Sequence, residues 1–524
     1  MTRASDYLSC SYALSDNDGK SRRPSTIIRR LRTLFPEAAL QEVEWPPKEA
    51  GIALLDYIDH PLRALSLVGS GLQRAQSPEE QAIWSAVYDH LRLSEYAEAL
   101  KRSLNSAFYD RQPPALPPEL TAKLYPAAFR LSVSSIEKYR QCPYAHFLTY
   151  GLRLKERLTY ELESFDIGQF YHKAMELLNH YLQEQQLQLA DLTEDKVQIV
   201  VSQIVEQLAP TLQNEILLSS SRYQYIKRKL GLTLEQSVKL MALHGQRGVF
   251  QPLGVEVAFG ASAKVPGLKL QLDEDRSVEL IGRIDRVEQA LTEAECYLRI
   301  IDFKTGSKGL TLSEIFYGLK IQLLVYMDII MFYCQKLEEK RIIRPAGVFY
   351  YFFKNPIIKS DKPLSPEVIQ QEIMAEMVPQ GLVLADLQGL LLADRQLGIG
   401  KSALLPLSLK KNAAPYLSGE KLAADDDELL DIFDRRSSAV VTPQQMALLQ
   451  QYVIQLIRRT GQEMLGGNIA ISPCRLKTFD SCQYCTYRAI CHFEPQEAGS
   501  YRELQMLDSD VIWQSIEKQV MNHE

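Results

Sequence analysis

The sequence predicts an α/β protein in which a sheet is flanked by helices, and three observations carry that prediction. Residues 280–305 hold two extended segments, Gly282-Arg283-Ile284-Asp285-Arg286 and Arg299-Ile300-Ile301-Asp302-Phe303-Lys304, separated by a looser turn near 289–295, the pattern of a β-hairpin. Residues 346–353 form an almost purely apolar run, as a strand buried on both faces does. Helical periodicity surrounds both, over 165–184 and over 312–338.

Bulk composition bounds the rest. At 524 residues the chain exceeds one ordinary core, so two or three domains are expected. With 46% hydrophobic and 24% charged residues it reads as an ordinary globular protein. A net charge of −6 offers no whole-molecule attraction to nucleic acid, so any phosphate-binding surface has to be a local basic patch. No apolar stretch is long enough to span a bilayer, and the first residues lack an apolar signal core, which predicts a cytoplasmic protein with no membrane partner. In that setting eight cysteines read as reduced thiols or metal ligands rather than a disulfide framework.

Taken in order, residues 1–125 are expected to be mainly helical. A strand at 7–12 starts abruptly, as though the chain began inside a larger domain; a turn at 16–19 follows, then a helix from Pro24 with Ser25 as its cap. Lys20, Arg22, Arg23, Arg29, Arg30 and Arg32 form the densest basic run, either a phosphate contact or a solvated helix face. Pro113-Pro114-Ala115-Leu116-Pro117-Pro118 reads as a stiff linker, and the domain boundary is set at 125. Ser134-Ser135-Ile136-Glu137 has the spacing of a capping box and begins a short helix that leads to Cys142. The helix from 165 carries His172, further helices run to about 243, and 254–259 enters the sheet with Glu256.

After the hairpin, one long helix over 312–338 places Gln322 and Tyr326 a turn apart on one face. Helical pieces and polar loops alternate over 354–441. There Gly398-Ile399-Gly400-Lys401-Ser402 resembles the end of a phosphate-binding loop, but that pattern requires glycine at 395 and the chain has Arg395, so ATP binding is rejected. A helix runs from Thr442-Pro443 to Gly466-Gly467, followed by a cysteine-rich end and a tail over 501–524.

The chemistry concentrates on the hairpin. Asp302 and Lys304, two apart on a strand, project to one face, and antiparallel pairing with a partner strand at 277–288 sets Asp285 beside Asp302. Two carboxylates suit a hard divalent cation such as Mg²⁺, and an adjacent ammonium can orient water and stabilise charge on a phosphorus under attack. This is a phosphodiester hydrolysis site in outline; the plain alternative is a surface ion pair. His172 either reaches the metal or is a polar helix residue, and Glu256 is either a further acidic group or a strand-edge carboxylate. Gln322 and Tyr326 either hydrogen-bond Lys304 or a nucleic-acid phosphate, or lie at the edge of a buried face. Near the end, Cys482, Cys485 and Cys491 form C-x₂-C-x₅-C and need a fourth ligand for zinc or an iron–sulfur cluster; Cys474, His492 and Cys142 are the candidates.

In combination and order these features are specific. From about 131 to 492 the chain resembles the nuclease domain of AddB-type subunits of bacterial AddAB helicase-nucleases, within the PD-(D/E)XK superfamily that also contains the RecB nuclease domain. The resemblance rests on Cys142-Pro143-Tyr144, Gly168 to His172, the Gly282 to Arg286 run, Asp302-Phe303-Lys304, Gln322 with Tyr326, and the cysteine triplet. It implies a PD-(D/E)XK core, a mixed sheet flanked by helices, over 126–500. It also implies a [4Fe–4S] cluster on Cys142, Cys482, Cys485 and Cys491, with Cys474 spare, which would staple a loop of about 340 residues. His172, Asp285 and Asp302 become Mg²⁺ ligands and Lys304 the catalytic lysine, supported by Gln322 and Tyr326. Residues 1–125 would be the last part of a helicase-like region, most of it missing, making the chain a fragment or a shortened relative. The implied function is that of a Mg²⁺-dependent DNA exonuclease subunit, paired with an AddA-type helicase subunit in double-strand-break repair by homologous recombination. The rivals are a stand-alone Cas4-like nuclease and a non-catalytic DNA-binding scaffold.

Overall fold

The computed structural model describes residues 10–15, 21–37, 58, 60–75, 77–107, 112–157, 160–306, 309–338, 340–421, 426–434, 439–477, 479–494 and 501–522. The chain forms two compact units, 1–110 and 111–524. In the first, helices Pro61–Arg74, Pro78–Arg92 and Ala97–Ala107 pack around Val68, Trp84, Leu91 and Leu100. Helix Thr26–Leu34 is capped by Ser25 as expected, and Arg22, Arg23, Arg29, Arg30 and Arg32 of the basic run are all exposed. Lys20, the 16–19 turn and residues 7–9 of the expected strand lie outside the described residues. Residues 10–13 are not in a strand, and Ser15 makes an isolated bridge to Ser21.

The second unit starts before the expected boundary at 125. Gln112 exchanges hydrogen bonds with the backbone of Ile471 at 2.9 and 3.0 Å, and Leu116 N donates to Gly467 O at 2.8 Å, so the proline-rich stretch is a strap bonded along 467–471. Gly467 has a φ of +75°, and a Cβ there would meet Leu116 O at 2.5 Å. Only glycine takes that backbone and that approach without strain.

The centre of this unit is a six-stranded mixed sheet: β1 (Gln251–Phe259), β2 (Gly282–Leu291), β3 (Glu295–Lys304), β4 (Ile342–Phe352), β5 (Gln380–Leu384) and β6 (Val440–Val441). Order across the sheet follows the chain. Pairs β1/β2, β2/β3 and β4/β5 are antiparallel, while β3/β4 and β5/β6 are parallel. A parallel step needs a crossover, supplied between β3 and β4 by helix Gln322–Leu337.

Alternation along β3 divides its buried side chains. Leu298 and Ile300 face a core with Leu323, Leu324 and Met327 of the crossover helix and Leu449, Val453 and Leu456 of helix Pro443–Leu465. Tyr297, Ile301 and Phe303 face a second core with Phe170, Tyr171 and Ala174 of helix Ser164–Glu184 and Leu234, Val238 and Met241 of helix Ser221–Arg247. The 346–353 run is buried on both faces, as its composition predicted. Each such fully buried large side chain contributes about 1.5–3 kcal/mol.

The structure corrects several local expectations. Residues 277–288 are not one strand: Ser277–Leu280 pairs with Ala128–Leu131 and Lys269–Gln271 in a separate sheet, and β2 begins at Gly282. The long helix expected over 312–338 is two, Leu312–Phe316 and Gln322–Leu337, because Gly318 turns the chain at φ +76°. Ser132, not Ser134, caps helix Val133–Gln141 by accepting from Ser135 N at 3.1 Å. Residues 501–524 include helix Ser509–Met521, whose Ile512, Ile516 and Val520 join the core, so they are not a loose tail. Gly400–Lys401 pairs with Ser408–Leu409 as a small hairpin rather than opening a helix. No helix among the described residues is long and apolar enough to cross a membrane.

Candidate active site

The ends of β1, β2 and β3 bring the acidic residues together. The pairing of β2 with β3 ends at Arg286 and Ile301, beside Asp285 and Asp302, and Asp285 Oδ2 accepts from Phe303 N at 2.7 Å. That bond ties the β2 carboxylate to the β3 backbone. Helix Ser164–Glu184 delivers His172, whose Nδ1 is 3.4 Å from Asp285 Oδ1 and 3.8 Å from Glu256 Oε1. Ligand atoms of His172, Glu256 and Asp285 all lie within 4.8 Å of one another. Glu256 reaches this position from a left-handed backbone, φ +51°, a conformation that costs a non-glycine residue about 1 kcal/mol or more and that turns its side chain toward His172. Its Oε2 also accepts from Arg283 Nη1 at 3.4 Å.

Asp302 sits deeper and is buried. Lys304 Nζ lies 2.6 Å from Asp302 Oδ2 in a close ion pair. Lys304 also donates to Gln322 Oε1 at 3.3 Å, and Gln322 Nε2 donates to Tyr326 Oη at 2.7 Å. The polar relay therefore runs Lys304, Gln322, Tyr326. Tyr326 is buried, so it braces Gln322 and does not present its hydroxyl to a nucleic-acid phosphate.

Glu137 is the residue that sequence reasoning misplaced. Its S-x-x-E spacing suggested a local cap, yet Glu137 Oε1 accepts from Ile321 N at 2.7 Å and Gln322 N at 3.0 Å, 184 and 185 residues away. It thus anchors the first turn of the helix that carries Gln322 and Tyr326, where a carboxylate complements the helix dipole. Nothing in the local pattern signals a partner so distant.

Electrostatics are strained in a consistent direction. Hydrogen bonding to Asp285 and Glu256 raises His172 to about 10, so it is protonated between two carboxylates. Burial lifts Asp302 to about 6 although Lys304 opposes the shift, and burial lifts Glu137 to about 7 against its two backbone donors. Burial alone would lower Lys304, but Asp302 outweighs it and holds the ammonium above its usual range. Two carboxyl groups, Asp302 and Glu137, both raised by burial, mark a place prepared for a counter-charge.

The cysteines are gathered from both ends of the unit. Cys142 follows helix Val133–Gln141, and Tyr144 N donates to Ala470 O at 3.2 Å while Thr149 Oγ1 donates to Tyr487 Oη at 3.1 Å, which lays the C-terminal cysteine segment on this turn. Cys142 interacts electrostatically with Cys482 and Cys485, and Cys491 with Cys485. Cys474 lies in a different cluster, buried against Leu319 and Leu476 with Ser481 Oγ at 3.8 Å. His492 ends the helix Arg488–Cys491 in a left-handed conformation, φ +48°.

Residues 130–492 match the PD-(D/E)XK nuclease superfamily. The chain belongs to that superfamily. It is also 34% identical over 99% of its length to the B-type subunit of an ATP-dependent helicase/deoxyribonuclease from Desulforamulus reducens, covering 43% of that protein. The like-named proteins of Desulforudis audaxviator and Bacillus subtilis are 36% and 32% identical over 98% and 99% of the chain. The chain spans 43% of the length of each of these relatives. The mixed sheet flanked by helices is the architecture the PD-(D/E)XK resemblance implied.

Proposed function

We propose that the chain is a metal-dependent deoxyribonuclease, the nuclease-bearing part of an AddB-type subunit of a helicase/deoxyribonuclease. On this reading it cleaves single strands delivered by an AddA-type helicase subunit during double-strand-break repair by homologous recombination. The observation that carries it is the convergence of His172, Glu256 and Asp285 beside the Asp302–Lys304 pair. The donor set fits a hard divalent cation: carboxylate oxygens and one imidazole whose ligand atoms already lie within 4.8 Å of one another. His172, Asp285 and Asp302 would hold Mg²⁺, with Glu256 next to them. A divalent cation held there would supply Lewis-acid stabilisation of charge developing on a phosphate and would make a nearby water more acidic.

The chain's own residues do the rest. His172 must release its proton to become a ligand, so metal affinity rises with pH. Lys304, fixed between Asp302 and Gln322, presents its ammonium to a phosphate oxygen on which charge develops. Tyr326 holds Gln322, and Glu137 holds the helix end from which Gln322 projects.

Cys142, Cys482, Cys485 and Cys491 would hold a [4Fe–4S] cluster. Such a cluster would cross-link Cys142 to the C-terminal segment.

The deciding experiment is Mg²⁺-dependent cleavage of single-stranded DNA by the purified chain without ATP. Activity that disappears in Asp302→Ala supports the reading; a chain that binds DNA without cutting it, or cuts equally well as Asp302→Ala, refutes it. About four irons per chain after anaerobic purification supports the cluster, and zinc in their place refutes it.

A further inference from the structure

Helix Ser164–Glu184 brings more than His172 to the nuclease site. Its inward side packs Phe170, Tyr171, Ala174 and Met175, but Phe165 is 70% exposed and Gln169, one turn on, is exposed as well. Seven residues separate Phe165 from His172, so helix geometry stacks the two on one face, about 10 Å apart along the axis. Gly168 lies between them on that face, and a Cβ there would meet nothing within 4 Å. An open lane therefore runs from an exposed aromatic ring to the imidazole, whose side chain is itself 36% exposed.

The head of the helix is held firmly with Phe165 outward. Asp166 Oδ2 accepts from Glu163 N at 2.8 Å, and Gln213 Nε2 donates to both Asp166 oxygens at 3.0 and 2.9 Å. Gln213, Asn214 and Glu215 keep a left-handed backbone, φ +42°, +51° and +64°, which non-glycine residues rarely adopt even singly. Phe165 gains little from folding, since a ring left in water forgoes its burial energy. Beyond His172 the same face continues to Glu176, and there Arg283 approaches: its Nη1 donates to Glu256 Oε2 at 3.4 Å while its side chain stays 63% exposed. Lys173 first, then His180 and Arg283, hold the Glu176 carboxyl below its usual range, which puts Arg283 on the far side of His172 from Phe165.

We propose that this face is the track along which a single DNA strand reaches the nuclease site, with Phe165 stacking on a base to one side of His172 and Arg283 holding a phosphate on the other. The identity of the occupant rests on the nuclease reading. An aromatic ring stacks on any base, so it grips a strand without reading its sequence, and bases already stacked within a duplex are closed to it. Glycine at 168 lets the strand approach the helix, where any longer side chain would hold it off. Arg283 gives one N–H to Glu256 and keeps the rest of its guanidinium for phosphate oxygens.

The test is fluorescence anisotropy of a labelled single-stranded oligonucleotide with the full chain, in the Asp302→Ala background so that nothing is cut. Phe165→Ala should weaken binding about tenfold, and Phe165→Trp should restore it. Gly168→Leu should weaken binding by a similar factor while the melting temperature holds or rises, because leucine favours a helix more than glycine does. Arg283→Met should lower the slope of log affinity against log salt by about 0.7, the loss of one phosphate contact. Scanning abasic sites along the oligonucleotide should find one position where removing the base costs as much as Phe165→Ala, with no further loss when the two are combined. Affinity that ignores both Phe165→Ala and Gly168→Leu overturns the track, and so does a chain that self-associates through this face and loses the dimer in Phe165→Ala. Cleavage by the parent alongside such indifference leaves the nuclease reading standing; Phe165-dependent binding by a parent that cuts nothing sinks the nuclease reading and leaves the track.

Discussion

Two buried carboxylates on opposite faces of the same hairpin have been driven in opposite directions. Glu288, between Arg286 and Arg299, is held at about 2; Asp302, paired with Lys304, is lifted to about 6. Both have lost water to a similar degree. What separates them is how many permanent charges reach each oxygen. One face is therefore internally paired at its carboxylate. The other is short of positive charge and opens toward His172, which is half-buried. An under-compensated carboxylate beside a cleft is chemistry in waiting, whereas a carboxylate with both oxygens bonded is structure.

The sharpest way to break this comparison is Asp302→Ala. Mg²⁺-supported cleavage should fall by about 10³-fold or more, while the melting temperature in EDTA holds or rises, because a charge disfavoured by burial is gone. A comparable loss of stability in that variant would mean Asp302 is a structural partner like Glu288.

Glu288→Gln should do the reverse, destabilising the fold by about 3–5 kcal/mol because two guanidiniums lose their counter-charge. The pH dependence follows from the depressed value. Glu288 contributes stability above its unfolded range near 4.5, and that contribution is lost as pH falls toward about 2. Denaturant melts of parent and variant should therefore differ most at neutral pH and converge in acid; a gap independent of pH would assign the effect to packing.

Lys304→Met removes the ammonium paired with Asp302 and should slow the chemical step about 10²-fold with DNA affinity nearly unchanged, measured by single-turnover cleavage against a binding isotherm. Equal losses in both would make Lys304 a binding residue only. Glu137→Gln keeps an acceptor for Ile321 and Gln322 but abolishes a group that titrates at about 7. A change of about threefold in rate is expected, with the pH–rate profile losing a limb near neutrality. A profile identical to the parent's would confine Glu137 to holding the helix end.

Much of the candidate site was legible residue by residue. Asp302 and Lys304 share a face because strand geometry repeats every two residues, and Gln322 and Tyr326 share one because helix geometry repeats near four. The hairpin register followed from the same alternation, apart from 277–280, where Ile281 and Gly282 break the run and the first half pairs elsewhere. The break at Gly318 was harder to see, since an isolated glycine in an apolar helical pattern is usually tolerated. Glu137 was out of reach altogether: its local motif pointed to a cap that Ser132 supplies instead.

Local periodicity by itself determined which neighbours along the chain could act together, because that depends only on the rise and turn of each element. The tertiary structure alone decided which strangers meet, Glu137 with Ile321, His172 with Glu256, Cys142 with Cys485. It decided their charges as well, since a carboxyl group's protonation depends on how much water it has lost and on which cations have come from elsewhere to replace it.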